Sequence, residues 1–134
     1  MIVSHGNFDK LAENYNKFRP DYSSEVLKSL INLCKGDSLA VADIGAGTGI
    51  WTRMLSCSEK ISTLYAVEPS NNMKELGESH KSNGNINWLL GSAEESNLES
   101  ESFDLVTMAS SFHWANFDIA TKEFNRILKN NGIF

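Results

Sequence analysis

The stretch VADIGAGTGIW, residues 41 to 51, decides the fold of this chain. Its apolar start carries one acid, Asp43, and is followed by Gly45, Gly47 and Gly49 before a helical pattern resumes. A continuous apolar run is typical of a strand in a parallel sheet that is covered on both faces. Glycines directly after such a strand let the backbone turn sharply and let a ligand approach without a Cβ in the way. The stretch therefore predicts a buried strand, a ligand-binding loop and the start of a helix.

Strand and helix patterns alternate on both sides of this stretch. The predicted strands are residues 39–44, 61–67, 86–90 and 103–109, and the predicted helices are residues 8–16, 26–34, 50–55, 70–80 and 117–128, followed by a turn at 130–132. This alternation predicts an α/β domain with a doubly wound parallel sheet in the strand order 3-2-1-4 and the start of a fifth strand. We expect one domain over 1–134, with N-terminal helices in 1–36 and the sheet core in 37–134. The polar stretch 91–102 is interpreted as a solvated surface connection.

Composition and charge exclude several classes of function. The chain has 134 residues, a net charge of −5 and no run of basic residues, so we expect neither nucleic acid nor a membrane as partner. Cys34 and Cys57 are too few for a metal cluster or a disulfide framework, and we interpret them as reduced, buried thiols. The first twenty residues lack the apolar block of a secretory signal. We therefore predict a soluble, cytoplasmic protein without a metal site.

The spacing of the glycines distinguishes this loop from two known phosphate-binding loops. The nicotinamide-binding pattern G-x-G-x-x-G needs a glycine where the chain has Ile50, and no Gly-Lys-Ser/Thr of a Walker loop follows. The second predicted strand ends in YAVEPS and places Glu68 nineteen residues beyond Gly49. An acid at this distance, at the tip of the second strand, is where doubly wound proteins hold the hydroxyls of a ribose. The pattern therefore predicts a site for a nucleoside.

Four motifs, in order, make the chain similar to a known family. They are VADIGAGTG at 41–49, AVEPSNNM at 66–73, GSAEES at 91–96 and FDLVTMASSFHW at 103–114. Together they resemble the class I S-adenosylmethionine-dependent methyltransferases, whose sheet is Rossmann-like. Within that family, YNKFRPDY at 15–22 and the Phe-His-Trp of the fourth motif resemble the type 11 group, which includes enzymes similar to trans-aconitate methyltransferase. The resemblance implies S-adenosyl-L-methionine as cofactor and a small molecule as methyl acceptor.

The resemblance also implies which residues form the cofactor site. Asp43, Gly45 and Gly47 would lie along the methionine part, and Glu68 would bind the ribose. Met73 and the backbone of Ala93 would border the adenine. Ser92 stands where many relatives carry an aspartate that binds the adenine amino group, so we expect this contact to be weaker. The full expected set is Arg19, Asp43, Gly45, Ala46, Gly47, Glu68, Pro69, Met73, Ser92, Ala93, Glu94 and Ser110.

The chemistry that the resemblance implies needs few catalytic groups. A sulfonium carries its own leaving group, so holding the nucleophile in line can supply about 7–11 kcal/mol of barrier reduction. His113 could act as a general base or hydrogen-bond donor, but a histidine between Phe112 and Trp114 also fits packing or substrate shaping. Arg19 could bind the cofactor carboxylate or an acid of the substrate, or lie on the surface.

The end of the sequence, NNGIF at 130–134, leaves three hypotheses open. Ile133 and Phe134 resemble the first residues of the family's fifth strand, so we expect a C-terminally incomplete domain whose fourth strand has an exposed edge that favours self-association. The chain is then an active methyltransferase, or a truncated, non-catalytic domain that binds the cofactor or serves in assembly. The third hypothesis, half of a nicotinamide-dependent dehydrogenase, is disfavoured by Ile50.

Overall fold

The computed structural model describes residues 23–82, 84–109 and 115–134. In chain order the elements are α1 Ser24–Leu33, β1 Leu39–Ile44, α2 Ile50–Leu55, β2 Ile61–Glu68, α3 Asn71–Ser79, β3 Asn87–Leu90, β4 Phe103–Thr107, α4 Phe117–Ile127 and β5 Leu128–Ile133. The predicted helix over 8–16 and three expected site residues, Arg19, Ser110 and His113, lie outside the described residues.

The sheet has five parallel strands in the order β3-β2-β1-β4-β5. This confirms the predicted doubly wound α/β fold and the order 3-2-1-4 with the start of a fifth strand. β1 lies in the middle, between β2 and β4. Because the carboxyl ends of parallel strands lie at one edge of a sheet, the glycine loop after β1 lies between the carboxyl ends of β2 and β4.

The fifth strand begins earlier than expected. α4 ends at Ile127, and β5 starts at once with Leu128, which pairs with Phe103, whereas Ile133 pairs with Leu105. The predicted turn at 130–132 is therefore wrong as a separate element, since these residues belong to an irregular part of β5. The pairing also means that β4 is not bare along this edge, contrary to our expectation. Self-association through the sheet edge stays a prediction.

Each face of the sheet carries a buried cluster, and this explains the continuous apolar run of β1. Successive side chains of a strand point to opposite faces. In β1, Leu39 and Val41 join a cluster with residues of α1 and α2, whereas Ala42 and Ile44 join a cluster with residues of α4. The helical members of the two clusters include Ile31, Trp51 and Leu55 on one face and Ala120, Phe124 and Ile127 on the other.

The stretch 91–102 is anchored to the domain, and its interpretation as a solvated connection is wrong for the buried residues Ala93, Ser96 and Leu98. Ser96 is fully buried, and its backbone N–H and hydroxyl both donate to Glu123 Oε2, at 2.8 and 3.1 Å. Arg126 donates from Nη2 to the carbonyl of Leu98 at 2.7 Å. The polar composition misleads because α4 supplies a carboxylate and a guanidinium that satisfy the buried polar groups of this stretch.

Two further findings concern the burial of the cysteines and the presence of membrane-spanning helices. Cys34 is half-buried and Cys57 is exposed, so the prediction of two buried thiols is wrong for Cys57. Across 23–82, 84–109 and 115–134, none of the helices has the length and apolar character needed to cross a membrane.

Candidate functional site

The glycine loop turns through left-handed backbone at every second residue. The φ angles are +67° at Gly45, +61° at Gly47 and +84° at Gly49, which immediately precedes α2. At Gly49 a side chain would also lack room, because a Cβ there would lie 2.8 Å from the ring of Trp88 on β3. The third glycine therefore allows both the turn into α2 and the close approach of the Trp88 ring.

Loops that follow three neighbouring strands are joined by backbone hydrogen bonds. Ala46 N–H donates to the carbonyl of Val67 at 3.0 Å, which ties the loop after β1 to the end of β2. Gly91 N–H donates to the carbonyl of Glu68 at 3.3 Å, which ties the loop after β3 to the same end. These contacts bring the first, second and third sequence motifs together at the carboxyl edge of the sheet. A parallel α/β sheet binds ligands at this edge.

Glu68 lies at the junction of these loops, by which we mean the place where the loops after β1, β2 and β3 meet. Its side chain belongs to the last residue of β2 and is only 6% exposed. Oε1 accepts a hydrogen bond from Gly47 N–H at 2.8 Å, and Oε2 accepts one from Ser70 N–H at 2.7 Å. The carboxylate thus holds the glycine loop against the turn that leads into α3. Its negative charge lies where the sequence predicts contact with a ribose.

Asp43 is held by side chains instead. It is 1% exposed, Oδ2 accepts from the hydroxyl of Thr52 at 2.5 Å, and Oδ1 accepts from the hydroxyl of Thr107 at 3.0 Å. Thr107 Oγ1 in turn accepts from Trp51 Nε1–H at 3.2 Å. The network joins β1, α2 and β4. Sequence reasoning missed Thr52, Thr107 and Trp51, since nothing in their spacing indicates a shared carboxylate.

The burial of Asp43 changes its acidity. Loss of hydration raises the pKa of this carboxyl from its ordinary value of 3.8 to about 7, against the lowering effect of hydrogen bonds from Thr52 and Thr107. The negative charge of Glu68 acts in the raising direction as well. The protonation state of Asp43 is therefore balanced near neutral pH.

The residues expected around the adenine occupy the flanks of the junction. Met73 is buried in the first turn of α3, where its N–H donates to Ser70 Oγ at 3.3 Å, and Pro69 is half-buried. Ala93 is buried. Ser92 closes a tight turn, because its hydroxyl accepts from Glu95 N–H at 3.2 Å and its N–H donates to the Glu95 carbonyl at 2.9 Å.

The side chain of Glu94, which we expected in the cofactor site, contacts the start of α4. Its Oε1 accepts from the N–H of Asn116, the N-cap of α4, at 2.8 Å. A carboxylate at a helix N-terminus is electrostatically favourable. In this structure Glu94 therefore anchors the start of α4.

An apolar cavity of about 270 Å³ lies beside the carboxyl end of β4. Its lining comes from α1, α2, β4 and the two residues after β4, together with the last residue of the chain: Val26, Leu30, Trp51, Leu105, Val106, Thr107, Met108, Ala109 and Phe134. Trp51 and Thr107 belong to both this lining and the Asp43 network. The cavity therefore adjoins the buried polar network on the β4 side of the glycine loop.

Within the described ranges, the His, Cys, Asp and Glu side chains form no group of three or more that could hold a metal ion. The junction instead combines two buried carboxylates with the close backbone of a glycine loop. This arrangement suits an organic ligand that carries hydroxyl groups or positive charge, because carboxylates accept hydrogen bonds and attract cations.

The chain matches a known protein family, and two of its relatives show the extent of the similarity. The family described as "Methyltransferase domain" matches residues 42–134. A Dictyostelium discoideum protein, named as a candidate methyltransferase, is 32% identical over 125 residues, which are 93% of this chain and 46% of that protein. The probable S-adenosylmethionine-dependent methyltransferase CRG1 of Saccharomyces cerevisiae is 27% identical over 133 residues, 96% of this chain and 44% of that protein. The chain therefore spans about half the length of these relatives.

A solved structure supports the fold independently. A Methanococcus maripaludis protein, proposed to be an S-adenosyl-L-methionine-dependent methyltransferase, superposes with a TM-score of 0.76 over 98% of this chain and 64% of its own. The two sequences are 23% identical, so the likeness concerns the fold alone.

Proposed function

This chain belongs to the family of S-adenosylmethionine-dependent methyltransferases, and from that premise we propose that it transfers a methyl group from S-adenosyl-L-methionine to a small-molecule acceptor. The observation that carries the proposal is the junction of Glu68 with the backbone of the glycine loop at the carboxyl edge of the sheet. In doubly wound proteins an acid at this edge hydrogen-bonds the ribose of a nucleotide, and the backbone of a glycine loop approaches the ligand closely.

Three groups of residues would hold the cofactor. The backbone of Gly45, Ala46 and Gly47 would lie along its methionine part, above the buried Asp43. Glu68 would accept hydrogen bonds from the ribose hydroxyls, with Pro69 beside it. Met73, Ser92 and Ala93 would border the adenine, with Glu94 fixing the start of α4 nearby. Arg19 and Ser110 belong to the same proposal through the family resemblance.

When bound, the cofactor supplies a methyl group that is already activated on a sulfonium. The protein then has to hold the acceptor in line and exclude water, and such positioning can lower the barrier by about 7–11 kcal/mol. The apolar cavity beside β4 is our candidate for the acceptor, because two of its lining residues, Trp51 and Thr107, belong to the network of Asp43, which precedes the glycine loop. His113 remains the candidate base. The narrower similarity to trans-aconitate methyltransferase and the cytoplasmic location stay predictions.

Calorimetry with S-adenosylmethionine, S-adenosylhomocysteine and NAD tests the proposal. We expect both adenosyl compounds to bind the 134-residue chain and NAD not to bind, because the loop lacks the third glycine of a nicotinamide site. Binding of NAD alone would overturn the proposal. Binding of both adenosyl compounds without methyl transfer to any of a panel of small acceptors would favour the non-catalytic alternative.

A further inference from the structure

The indole ring of Trp88 lies against two glycines that belong to different elements. At Gly49, the last glycine of the loop after β1, a Cβ would lie 2.8 Å from Cζ2 of the ring and 3.0 Å from Cη2. At Gly77, a buried residue of α3, a Cβ would overlap Cη2 and would lie 2.5 Å from Cζ2. The same edge of the ring therefore packs against both backbones, and it fits there because neither position carries a side chain.

Arg53 of α2 holds the same end of the glycine loop through polar contacts. Its Nη1 donates to the carbonyl of Thr48 at 2.7 Å, and its backbone N–H donates to the carbonyl of Gly49 at 2.8 Å. Nη1 also lies 3.0 Å from the place that a Cβ of Gly49 would take, so guanidinium and indole meet at this glycine. The end of the loop is thus held by hydrogen bonds from α2 and by the apolar ring of Trp88 from β3.

The ring joins two parts of the molecule that belong to the proposed cofactor site. The backbone of Trp88 is fixed in the sheet, where it pairs with Ala66 of β2. Its side chain reaches the glycine loop on one hand and α3 on the other, and the first turn of α3 carries the buried Met73. Because packed side chains transmit displacements, a movement of the ring has to be felt at both places.

We propose that Trp88 is a positioning residue for the cofactor site, whose ring, packed against Gly49 and Gly77, holds the glycine loop in the shape that S-adenosyl ligands bind. The inference rests on the proposed function. Glycine loses more conformational freedom on folding than any other residue, so a loop with left-handed glycines at 45, 47 and 49 needs outside contacts to keep one shape. A loop that is already in its bound shape loses less entropy when the ligand binds, and its affinity is higher.

A double-mutant cycle between Gly77 and Trp88 tests the proposal, with affinity for S-adenosylhomocysteine measured by calorimetry. Gly77→Ala puts a methyl group where the ring lies, so the ring has to leave its position, and we expect affinity to fall roughly tenfold. Trp88→Phe withdraws the outer edge of the ring and should lower affinity by roughly threefold. In the double variant the smaller ring leaves room for the methyl group, so Gly77→Ala should cause no further loss.

Thermal melting of the same variants without ligand checks the overlap by itself. Alanine favours a helix interior over glycine, so Gly77→Ala should raise the melting temperature wherever the ring leaves room for it. We therefore expect this substitution to lower the melting temperature in the wild-type background and to raise it in the Trp88→Phe background. Glu75→Ala, at an exposed position of the same helix, is the matched control and should leave affinity within about twofold of each background.

The affinity cycle separates a positioning role from plain core packing. If the ring only fills space, the variants melt at lower temperature but bind with wild-type affinity where they are folded, and this result overturns the proposal. Equal losses of affinity from Gly77→Ala in both backgrounds overturn it as well, because such a loss does not depend on the ring. If Gly77→Ala does not fold, Trp88→Phe and Trp88→Leu decide the question. Affinity should then fall from wild type to Phe to Leu, and wild-type affinity in both variants overturns the proposal.

Failure of this inference and failure of the proposed function can be told apart. Tight binding of S-adenosylhomocysteine by wild type and by every variant overturns the role of Trp88 and leaves the proposed function standing. If the wild-type chain binds neither S-adenosylmethionine nor S-adenosylhomocysteine, the proposed function is wrong, and the positioning role of Trp88 is wrong with it.

Discussion

Asp43 and Glu68 lie near the carboxyl ends of adjacent strands, are both buried, and are held by different kinds of hydrogen-bond donor. Asp43 accepts hydrogen bonds from the side chains of Thr52 and Thr107, whereas Glu68 accepts them from the backbone of Gly47 and Ser70. Backbone donors are present whatever the side chain, so the position of Glu68 depends on the path of the loop. The environment of Asp43 depends on three particular residues and can be altered by mutation without moving the chain. The position of the Glu68 carboxylate is therefore set by the backbone, whereas the hydrogen bonds of the Asp43 carboxylate are set by neighbouring side chains.

The largest expected effect is a pH-dependent stability contributed by Asp43. Its pKa is 3.8 ordinarily and about 7 in the folded chain, so its contribution to stability is complete below pH 4 and is lost as pH rises to about 7. The difference corresponds to about 4 kcal/mol. Asp43→Asn lacks this loss, so its stability relative to wild type should rise by up to that amount between pH 4 and pH 8, as measured by urea unfolding.

The exposed Asp37→Asn is the control for removal of a carboxylate. Subtracting wild type from each variant at the same pH cancels the titration of all other groups. A stability difference for Asp43→Asn that does not change with pH would show that Asp43 ionises alike in the folded and unfolded chain.

Glu68→Ala tests the other carboxylate. If Glu68 binds the ribose, its removal takes away charge-assisted hydrogen bonds worth about 1.5–3 kcal/mol, and affinity for S-adenosylhomocysteine should fall roughly ten- to a hundredfold. The N–H groups of Gly47 and Ser70 lose their acceptor as well, so thermal stability should decrease too. Glu75→Ala, on an exposed position of α3, is the control. Unchanged affinity in Glu68→Ala would argue against the ribose contact.

Thr107→Val tests how much a neutral hydrogen-bond partner of Asp43 contributes to stability. It removes a donor to Asp43 and the acceptor of Trp51 Nε1–H, and a buried polar group without a partner costs about 1–3 kcal/mol. Chemical denaturation should show a loss in this range above pH 7. Trp51→Phe removes the outer hydrogen bond and should leave the hydrogen bonds from Thr52 and Thr107 to Asp43 in place. Equal stability of Thr107→Val and wild type would mean that water replaces the hydroxyl.

The smallest effect is expected for Ser70→Ala. The side chain of Ser70 caps α3 by accepting from Met73 N–H, and loss of such a cap costs about 1 kcal/mol. The backbone N–H that donates to Glu68 remains in the variant. A melting experiment should therefore show a modest loss, and calorimetry should show affinity for S-adenosylhomocysteine within about twofold of wild type. A large loss of affinity would mean that the hydroxyl itself contacts the ligand.

Much of the fold was predictable because its signals are local. An apolar strand, three glycines and an acid nineteen residues further on lie within one short part of the chain, and periodicity separates strands from helices. The start of β5 was missed since Leu128 continues the apolar spacing of Phe124 in α4, and only pairing with Phe103 makes it extended. The anchoring of Ser96 was missed because its partner, Glu123, lies 27 residues away.

The sequence by itself determined that two acids lie near the ends of adjacent strands beside a glycine loop. Only the tertiary structure decided what surrounds them. Thr107 is 64 residues from Asp43 and reaches it because β4 pairs with β1, and Trp51 joins through the packing of α2 on the sheet. Hydration, hydrogen-bond partners and neighbouring charge together set the pKa of a carboxyl, and all three depend on atoms that folding brings together from distant parts of the chain.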